Sequence, residues 1–554
     1  MNAIGSVALL ASATAGVVLA LTAPTTFAAA EARTSSDPPR LLVTIVVDQM
    51  RRDYLDRYGP LAERGLKRLL AQGAVFDRAA YPYATTVTCA GHATIATGTF
   101  PATHGIIANE WWSRQAGRRV PCTDDRAATS VPYVGPPEKI GHSARRLRVP
   151  TLSDRLRAAH RDARIVTLSM KARSAIMLAG SAGVATWFVD ETNGWATSTA
   201  FAPGRVPQVD AFLTANPMDR DREQIWSPLN PSAFKGTDNA AGERPKRGWT
   251  AAFPHPLAGA SGTPDWQYLE LWKCSPYADD YLGALAGSLV RSLELGRRDT
   301  IDFLGVGFSS LDCVGHDFGP DSAEVQDTVL RLDRTLGTLF DTLDSAVGAD
   351  RYVVALSADH GVSPIPEQVR AQGGDGGRVL APGVRKVAEA AMQAAHGPGP
   401  HVASVIPPYI NFAPDTRARA QRDPETLRPV IDAVSKMNGV LRVLPGRDLE
   451  SKRTSTDPIE RAAALSYHPD ESGELVYLLK PHWLNGDASA ASHGTVNVYD
   501  QTVPVIFLGA SVKPGRYAGS ASPADIAPTL AALIKLPLPQ VDGKALTEAL
   551  LIAR

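Results

Sequence analysis

Five runs of apolar, largely β-branched residues recur along the chain: Leu41 to Val47 (LLVTIVV), Ala163 to Ser169 (ARIVTLS), Asp302 to Phe308 (DFLGVGF), Arg351 to Ser357 (RYVVALS) and Val503 to Leu508 (VPVIFL). They are continuous, not alternating, which predicts strands buried on both faces, as in a parallel sheet covered by helices. A shorter strand is expected from Ala74 to Asp77. Helical periodicity fills the intervals, at about 60–72, Thr151 to His160, Asp280 to Leu295, Ala323 to Leu343 and Pro523 to Leu533. The predicted fold class is α/β: a doubly wound, mostly parallel central sheet with helices on both faces.

Two stretches break the rhythm. Residues from about 184–276 are rich in Trp, Pro, Gly and Asn, and residues from about 373–487 mix Gly-rich turns, helices and short strands such as Val476 to Leu479. Both are expected as insertions covering the sheet's ligand edge. Asp190 to Trp195 (DETNGW) carries the Asn-Gly signature of a hairpin turn. There is no internal repeat.

The N-terminus has its own character. Ile4 to Ala23 is almost wholly apolar or small, Pro24 breaks it, and Phe27-Ala28-Ala29-Ala30 offers small residues for cleavage. No Lys or Arg precedes the run, yet its Ala, Ser, Thr and Gly content favours a cleaved signal peptide (1–30) over a retained membrane anchor. A polar linker (31–40) follows, and no later segment is apolar enough to span a bilayer. The expected location is periplasmic or secreted, with no membrane contact after cleavage.

Within the 554 residues, Lys plus Arg and Asp plus Glu are equal at 57 each, so nothing points to a nucleic-acid or membrane-surface partner. Nothing points to an oligomer either, and a monomer is expected. Cys89, Cys122, Cys274 and Cys313 lack C-x-x-C spacing, which argues against a cysteine-rich zinc site. In an oxidising compartment they allow paired disulfides of open connectivity.

Candidate chemistry collects where the strands end. Asp48, Asp312, His316, Asp359, His360 and His493 each lie at or just after a predicted strand end, or in the loop before the next strand. In a doubly wound sheet those ends share one edge. The spacing of Asp312 and His316 lets both converge on one ion from a helical turn, and Gly361 permits the turn by which Asp359 and His360 share a site. Three imidazoles and three carboxylates suit two zinc ions. Two such ions about 4 Å apart can hold the attacking and leaving oxygens of an in-line phosphoryl transfer.

One further stretch matters, Ala84 to Asn109 (ATTVTCAGHATIATGTFPATHGIIAN). Its hydroxyls, Thr85, Thr86 and Thr88, precede a helix-compatible run, which suits a helix cap or a nucleophile carrying a phosphoryl group. Lys171 and Arg173 follow a strand and share a face if the backbone stays extended. Trp111 and Trp112 are expected to pack more than to stack on substrate.

The motifs VVDQMR, TCAGHATIATGTFPATHGIIANEWW, DCVGHDFGP, SADHGV and SHGTVN, in that order, resemble those of the alkaline phosphatase superfamily over most of the chain after Asp48. That resemblance implies a single catalytic domain over 41–554 holding two zinc ions. Asp48, Thr88, Asp359 and His360 would surround one ion, and Asp312, His316 and His493 the other. It implies Thr88 as nucleophile, with Thr85 and Thr86 as loop residues, and Asn109, Lys171 and Arg173 as substrate-binding residues. Lys171-Ala172-Arg173 matches the Lys-x-Arg pair of PafA-type alkaline phosphatases, whose extra cations suit the charge of a monoester. Hydrolysis of small phosphate monoesters through a phosphothreonine is therefore expected. A nucleotide pyrophosphatase/phosphodiesterase-type diesterase is the alternative, and a sulfatase ranks third because no C-x-P-x-R motif is present. A catalytically silent binding protein on this fold is disfavoured by the complete ligand set.

Overall fold

A computed structural model describes residues 38–190, 192, 194–258 and 265–551. The proposed signal peptide, most of the linker, and Glu191 and Asn193 of the expected turn lie outside the described residues. All described residues fall in one compact unit.

The central sheet has ten strands. In chain order they are β1 (Leu41–Val47), β2 (Ala74–Ala79), β3 (Ser130–Pro132), β4 (Ile165–Ser169), β5 (Val184–Val189), β6 (Gly194–Ser198), β7 (Asp302–Phe308), β8 (Tyr352–Ser357), β9 (Val505–Gly509) and β10 (Gly515–Ala521). Their spatial order is β10-β2-β9-β8-β1-β7-β4-β5-β6-β3. The five neighbours β8, β1, β7, β4 and β5 run parallel. β9 and β6 run against them, and β3, antiparallel to β6, runs with them at the far edge.

The continuous apolar runs have a direct structural cause. Along β1, Leu41, Val43, Ile45 and Val47 enter the hydrophobic core on one face, and Leu42 and Val46 enter the core on the other. β8 divides the same way, Tyr352, Val354 and Leu356 against Val353 and Ala355. With side chains alternating across a sheet covered twice, nearly every position is apolar, the buried Thr44 and Ser357 being the exceptions in these two strands. Each fully buried Val or Leu contributes about 1.5–3 kcal/mol.

The helices that matter are, in chain order, α1 (Thr88–Thr97), α2 (Leu152–Ala159), α3 (Ala172–Ala179), α4 (Pro276–Ser292), α5 (Ser310–Phe318), α6 (Ala323–Ala346) and α7 (Ile526–Leu533). α4 and α6 cover the first face through Tyr281, Leu285, Val329 and Leu336. α2 and α7 help cover the second through Leu156, Ile526 and Leu530.

The structure corrects the sequence reading at two places. The stretch expected as an insertion from 184 opens with β5 and β6, which extend the central sheet as an antiparallel pair. Their aromatic content reflects burial, since Trp187 and Trp195 are almost fully enclosed. The helix expected over 60–72 starts later, at Gly65, and runs to Gln72; a separate helix at Asp53–Tyr58 and a short 3-10 turn at Gly59–Leu61 precede it. The Asp333 carboxylate fixes the later start by accepting from the Glu63, Arg64 and Leu66 backbone N–H groups. Between 373 and 487 the chain forms a four-stranded antiparallel sheet with its own apolar core around Val384, Ile410, Val430 and Tyr477.

Candidate active site

The four adjacent parallel strands β8, β1, β7 and β4 deliver Asp359-His360, Asp48-Gln49, Asp312 and His316 on α5, and Lys171-Arg173, respectively. Because β9 is antiparallel, with Val505 opposite Ser357, its entry lies at the same edge, and the loop before it brings His493. α1 completes the edge. It approaches so closely that a Cβ on Gly91 would lie 2.2 Å from the Asp359 carbonyl oxygen, which requires glycine there.

Two groups of side chains with convergent donor atoms result, Asp48, Asp359 and His360, and Asp312, His316 and His493. The first is sealed, its members 0–1% exposed. The second opens outward, with the His316 side chain 23% exposed. Thr88 begins α1, is buried, and places its Oγ1 3.4 Å from His360 Nε2.

All three histidines are held in one tautomer. His360 Nδ1 donates to the Gly361 carbonyl at 3.0 Å, His316 Nδ1 to Ala491 at 2.8 Å and His493 Nδ1 to Thr86 at 2.9 Å. A carbonyl only accepts, so Nδ1 carries the proton and Nε2 presents a lone pair inward. His316 Nε2 and His493 Nε2 lie 3.2 and 3.7 Å from Asp312 Oδ1, and His360 Nε2 lies 3.4 Å from Asp48 Oδ1. Asp48 Oδ1 and Asp359 Oδ2 are buried without a hydrogen-bond partner. Leaving such oxygens orphaned in a native site is costly; with His360 Nε2 beside them, and His316 and His493 Nε2 beside Asp312, the two groups form donor sets suited to cations.

Charge at the edge is strongly redistributed. Burial, reinforced by Asp312 and Asp359, pushes the Asp48 carboxyl well above the ordinary carboxylate range, against the pull of Lys171. Burial works the same way on Asp312, but Lys171 and then His316 override it and hold it well below that range. Asp359 is also lowered, burial being outweighed by His360 and His92. Burial lowers His360, and lowers His493 further with help from His360 and His316, keeping both imidazoles neutral.

The remaining expected residues take distinct positions. Lys171 Nζ bridges the two groups, donating to Asp48 Oδ2 at 2.6 Å and Asp312 Oδ2 at 2.5 Å. Arg173 is half-buried in the first turn of α3, and its Nε has no hydrogen-bond partner. Lys171 precedes that helix in extended conformation, so the pair straddles a helix start, not a continuous strand. Asn109 Oδ1 accepts from the Cys89 backbone at 2.8 Å, which ties it to the residue after Thr88. Cys89 pairs with Cys122, and Cys274 with Cys313. Trp111 is buried and donates to Glu471, a packing role.

Two residues escaped the sequence reading. Gln49 spans the groups: its backbone N–H donates to Asp359 Oδ1 at 3.1 Å and its Nε2 to Asp312 Oδ1 at 2.7 Å. It does so from a left-handed backbone (φ 69°), which marks a constrained position. His92, one turn beyond Thr88, is fully buried with Nδ1 2.9 Å from the Thr88 carbonyl and 3.2 Å from Asp359 Oδ2. Its place in the Gly-His-Ala motif was the available clue. Gln49 offered none beyond adjacency to Asp48.

Comparison with known proteins agrees with this geometry. The family described as type I phosphodiesterase / nucleotide pyrophosphatase matches residues 42–496. The chain belongs to this family. Alkaline phosphatase PhoV of Synechococcus elongatus is 32% identical over 525 residues, 92% of this chain and 93% of PhoV. Alkaline phosphatase PafA of Elizabethkingia meningoseptica is 31% identical over 532 residues, 92% of this chain and 94% of PafA. The crystal structure of wild-type PafA superposes with a TM-score of 0.85 at 30% identity, covering 93% of this chain and all of that one. A protein of Myroides odoratus named calcium-transporting ATPase is 32% identical over 529 residues, 93% of this chain and 95% of its own. Among the described residues no helix is long and apolar enough to cross a membrane. The chain is an enzyme, a phosphatase of the alkaline phosphatase superfamily.

Proposed function

We propose that the chain is an exported phosphate monoesterase that works through a phosphothreonine on Thr88 at a two-zinc site. The observation that carries this reading is the pair of convergent donor groups, in which His360 Nε2 faces Asp48 Oδ1 and Asp359 Oδ2, both without a hydrogen-bond partner among the described residues, and His316 and His493 Nε2 face Asp312 Oδ1. The residues fit zinc: Asp48, Thr88, Asp359 and His360 would hold one ion, and Asp312, His316 and His493 the other. When bound, the ions supply Lewis-acid charge that favours the threonine alkoxide and the departing ester oxygen.

The chain's own residues do the rest. Thr88 Oγ1 attacks phosphorus as the ester P–O bond breaks, and the proton the hydroxyl gives up ends on the departing oxygen, which leaves as the alcohol. Water then cleaves the phosphothreonine, releasing phosphate and restoring the hydroxyl, with net retention after two inversions. Asn109, fixed by its acceptor bond to Cys89, presents its amide donors to a nonbridging oxygen. Arg173, whose Nε is unsatisfied, is available to a phosphate oxygen. Lys171 adds the second cation, which a doubly charged monoester needs more than a diester does. Gln49 and His92 position Asp312 and Asp359.

The deciding experiment measures kcat/KM for an aryl phosphate monoester and the matching diester, on zinc-loaded wild type and on Lys171→Ala/Arg173→Ala. A monoester preference that collapses in the double variant is expected. A diester preference, or one indifferent to these cations, moves the chain to the diesterase reading.

A further inference from the structure

A second concentration of charge lies outside the candidate active site. A groove of about 440 Å³ is lined by Arg118, Arg126, Arg145, Arg146 and Arg148, and none of the candidate site residues lines it. Only Asp124 and Glu471 oppose these arginines within the groove. Both carboxylates are already shared. Asp124 accepts from Arg118 at 3.0 Å and Arg146 at 3.2 Å, and Glu471 accepts from Arg148 at 2.7 Å and from Trp111 Nε1 at 2.8 Å. Arg145 pairs with Asp125 behind it at 2.9 Å.

Arg126 is exposed and has no ion-pair partner among the described residues. Arg146 lies 5.5 Å from the Trp111 ring centre, and its Nε is buried without a partner. An adjoining hollow of about 320 Å³ shares Arg118, Asp124 and Arg126 and adds Lys139, so the basic surface is elongated. In a chain whose Lys plus Arg and Asp plus Glu are equal, such a local excess sets up a positive field.

We propose that this groove binds a short condensed-phosphate chain. Guanidinium forks match phosphate oxygens in a planar, bidentate manner, and several forks in a row suit linked phosphates better than a single one. No aromatic ring lines the groove among the described residues, so nothing there stacks a base. The walls are preorganised: the hairpin of Glu110–Ser113 and Arg118–Pro121 is fixed to α1 by the Cys89–Cys122 disulfide and by the bond from the Cys89 N–H to Asn109 Oδ1. Arg118 and Arg146, already held by Asp124, lose little freedom when a ligand arrives. The inference is independent of the monoesterase reading, because it concerns binding at residues that take no part in it.

The test is calorimetric titration of inorganic tripolyphosphate into the metal-loaded full chain, comparing wild type with Arg126→Ala and with Arg118→Ala/Arg126→Ala. Any binding at the candidate active site is common to all three proteins, so the difference isolates the groove. Arg126→Ala alters an exposed, unpaired side chain and is expected to leave turnover of a small aryl monoester unchanged. Wild type is expected to show a site that weakens with added salt, with affinity falling about tenfold or more in the double variant. Orthophosphate is expected to show no such difference between wild type and variant. Equal tripolyphosphate affinity in wild type and double variant overturns the proposal. So does an orthophosphate affinity as strong and as dependent on these arginines, which marks a single-phosphate site. Equally tight binding of an oligothymidylate of matched charge also overturns it, because it marks a general nucleic-acid surface.

Discussion

Two regions of this protein bury carboxyl groups with unpartnered oxygens, and they relieve the cost in different ways. At the sheet edge, Asp48 Oδ1 and Asp359 Oδ2 are orphaned among histidines with inward lone pairs and beside the Lys171 ammonium. Near the start of α6, Glu243 Oε2, Glu324 Oε2 and His255 Nδ1 are equally orphaned. There the surroundings are aromatic: His255 lies 4.7–5.4 Å from the ring centres of Trp226, Trp249, Phe253 and Phe318. Burial pushes Glu243 and Glu324 each up to about 8, and pushes His255 down to about 4. The aromatic seat is thus neutralised by protons, whereas the edge has the donors to be neutralised by cations. At the edge the imidazole lone pairs converge on carboxylate oxygens, whereas in the aromatic seat the one imidazole, His255, is already paired through Nε2 with Glu324 Oε1 at 2.9 Å.

The largest expected effect separates the two regions by rate. Thr88→Ala should reduce monoester turnover on the order of a thousandfold or more with an unchanged melting temperature, and Glu324→Gln should leave kcat within about twofold. Steady-state kinetics beside thermal denaturation checks both, and a rate loss in Glu324→Gln would collapse the distinction.

Removing metal tests the cation side directly. Chelation should lower the melting temperature by several degrees and zinc should restore it, because ions that bind only the folded state stabilise it. The same shift should appear in Glu324→Gln, whose cluster needs no ion. A chelator without effect on Tm would sink the idea that cations satisfy Asp48 and Asp359.

The edge itself is graded. Since the His316 side chain is 23% exposed and His360 is sealed, chelation should remove metal in two phases, the outer group first. His316→Ala should retain about one ion per chain by mass spectrometry, and His360→Ala should disturb the inner ion. A single phase, or equal losses in the two variants, would mean that the groups act as one.

The smallest effect concerns pH. The folded-state pKa of Glu324 is raised from 4.5 to about 8, so its contribution to stability is fully present below about 4.5 and is lost as pH rises through about 8. His255, lowered from 6.5 to about 4, contributes above 6.5 and loses that contribution as pH falls through about 4. Asp238 and Asp327 also face Glu324 and oppose its ionisation. Wild type should therefore lose a few degrees of Tm between about pH 6.5 and 8, and Glu324→Gln should flatten that decline. A parallel decline in both proteins would place the responsible group elsewhere.

Much of the architecture was legible because burial on both faces leaves a mark in every residue of a strand. β1, β7 and β8 read as unbroken apolar runs, and the ligands at their ends followed from that. β5 and β6 were misplaced because Trp, Asn and Gly in 184–198 resemble an irregular cap, and nothing local states that these residues pair with β4. The helix expected from Pro60 starts at Gly65 because the distant Asp333 carboxylate holds its first N–H groups, a contact that no local pattern states. Gln49 was invisible because a glutamine after an aspartate has no special meaning until its amide meets Asp312, 263 positions away in the chain.

The sequence alone determined the residue types at the edge, the strands that carry most of them and the order in which they appear, since these depend on local periodicity and composition. Only the tertiary structure decided which ligands group together, which group is sealed, which histidine nitrogen faces inward, how the cysteines pair and that five arginines share one groove. The reason is physical. Periodicity is written between neighbours three or four positions apart, whereas a donor atom's partner is set by packing between segments that the sequence holds far apart.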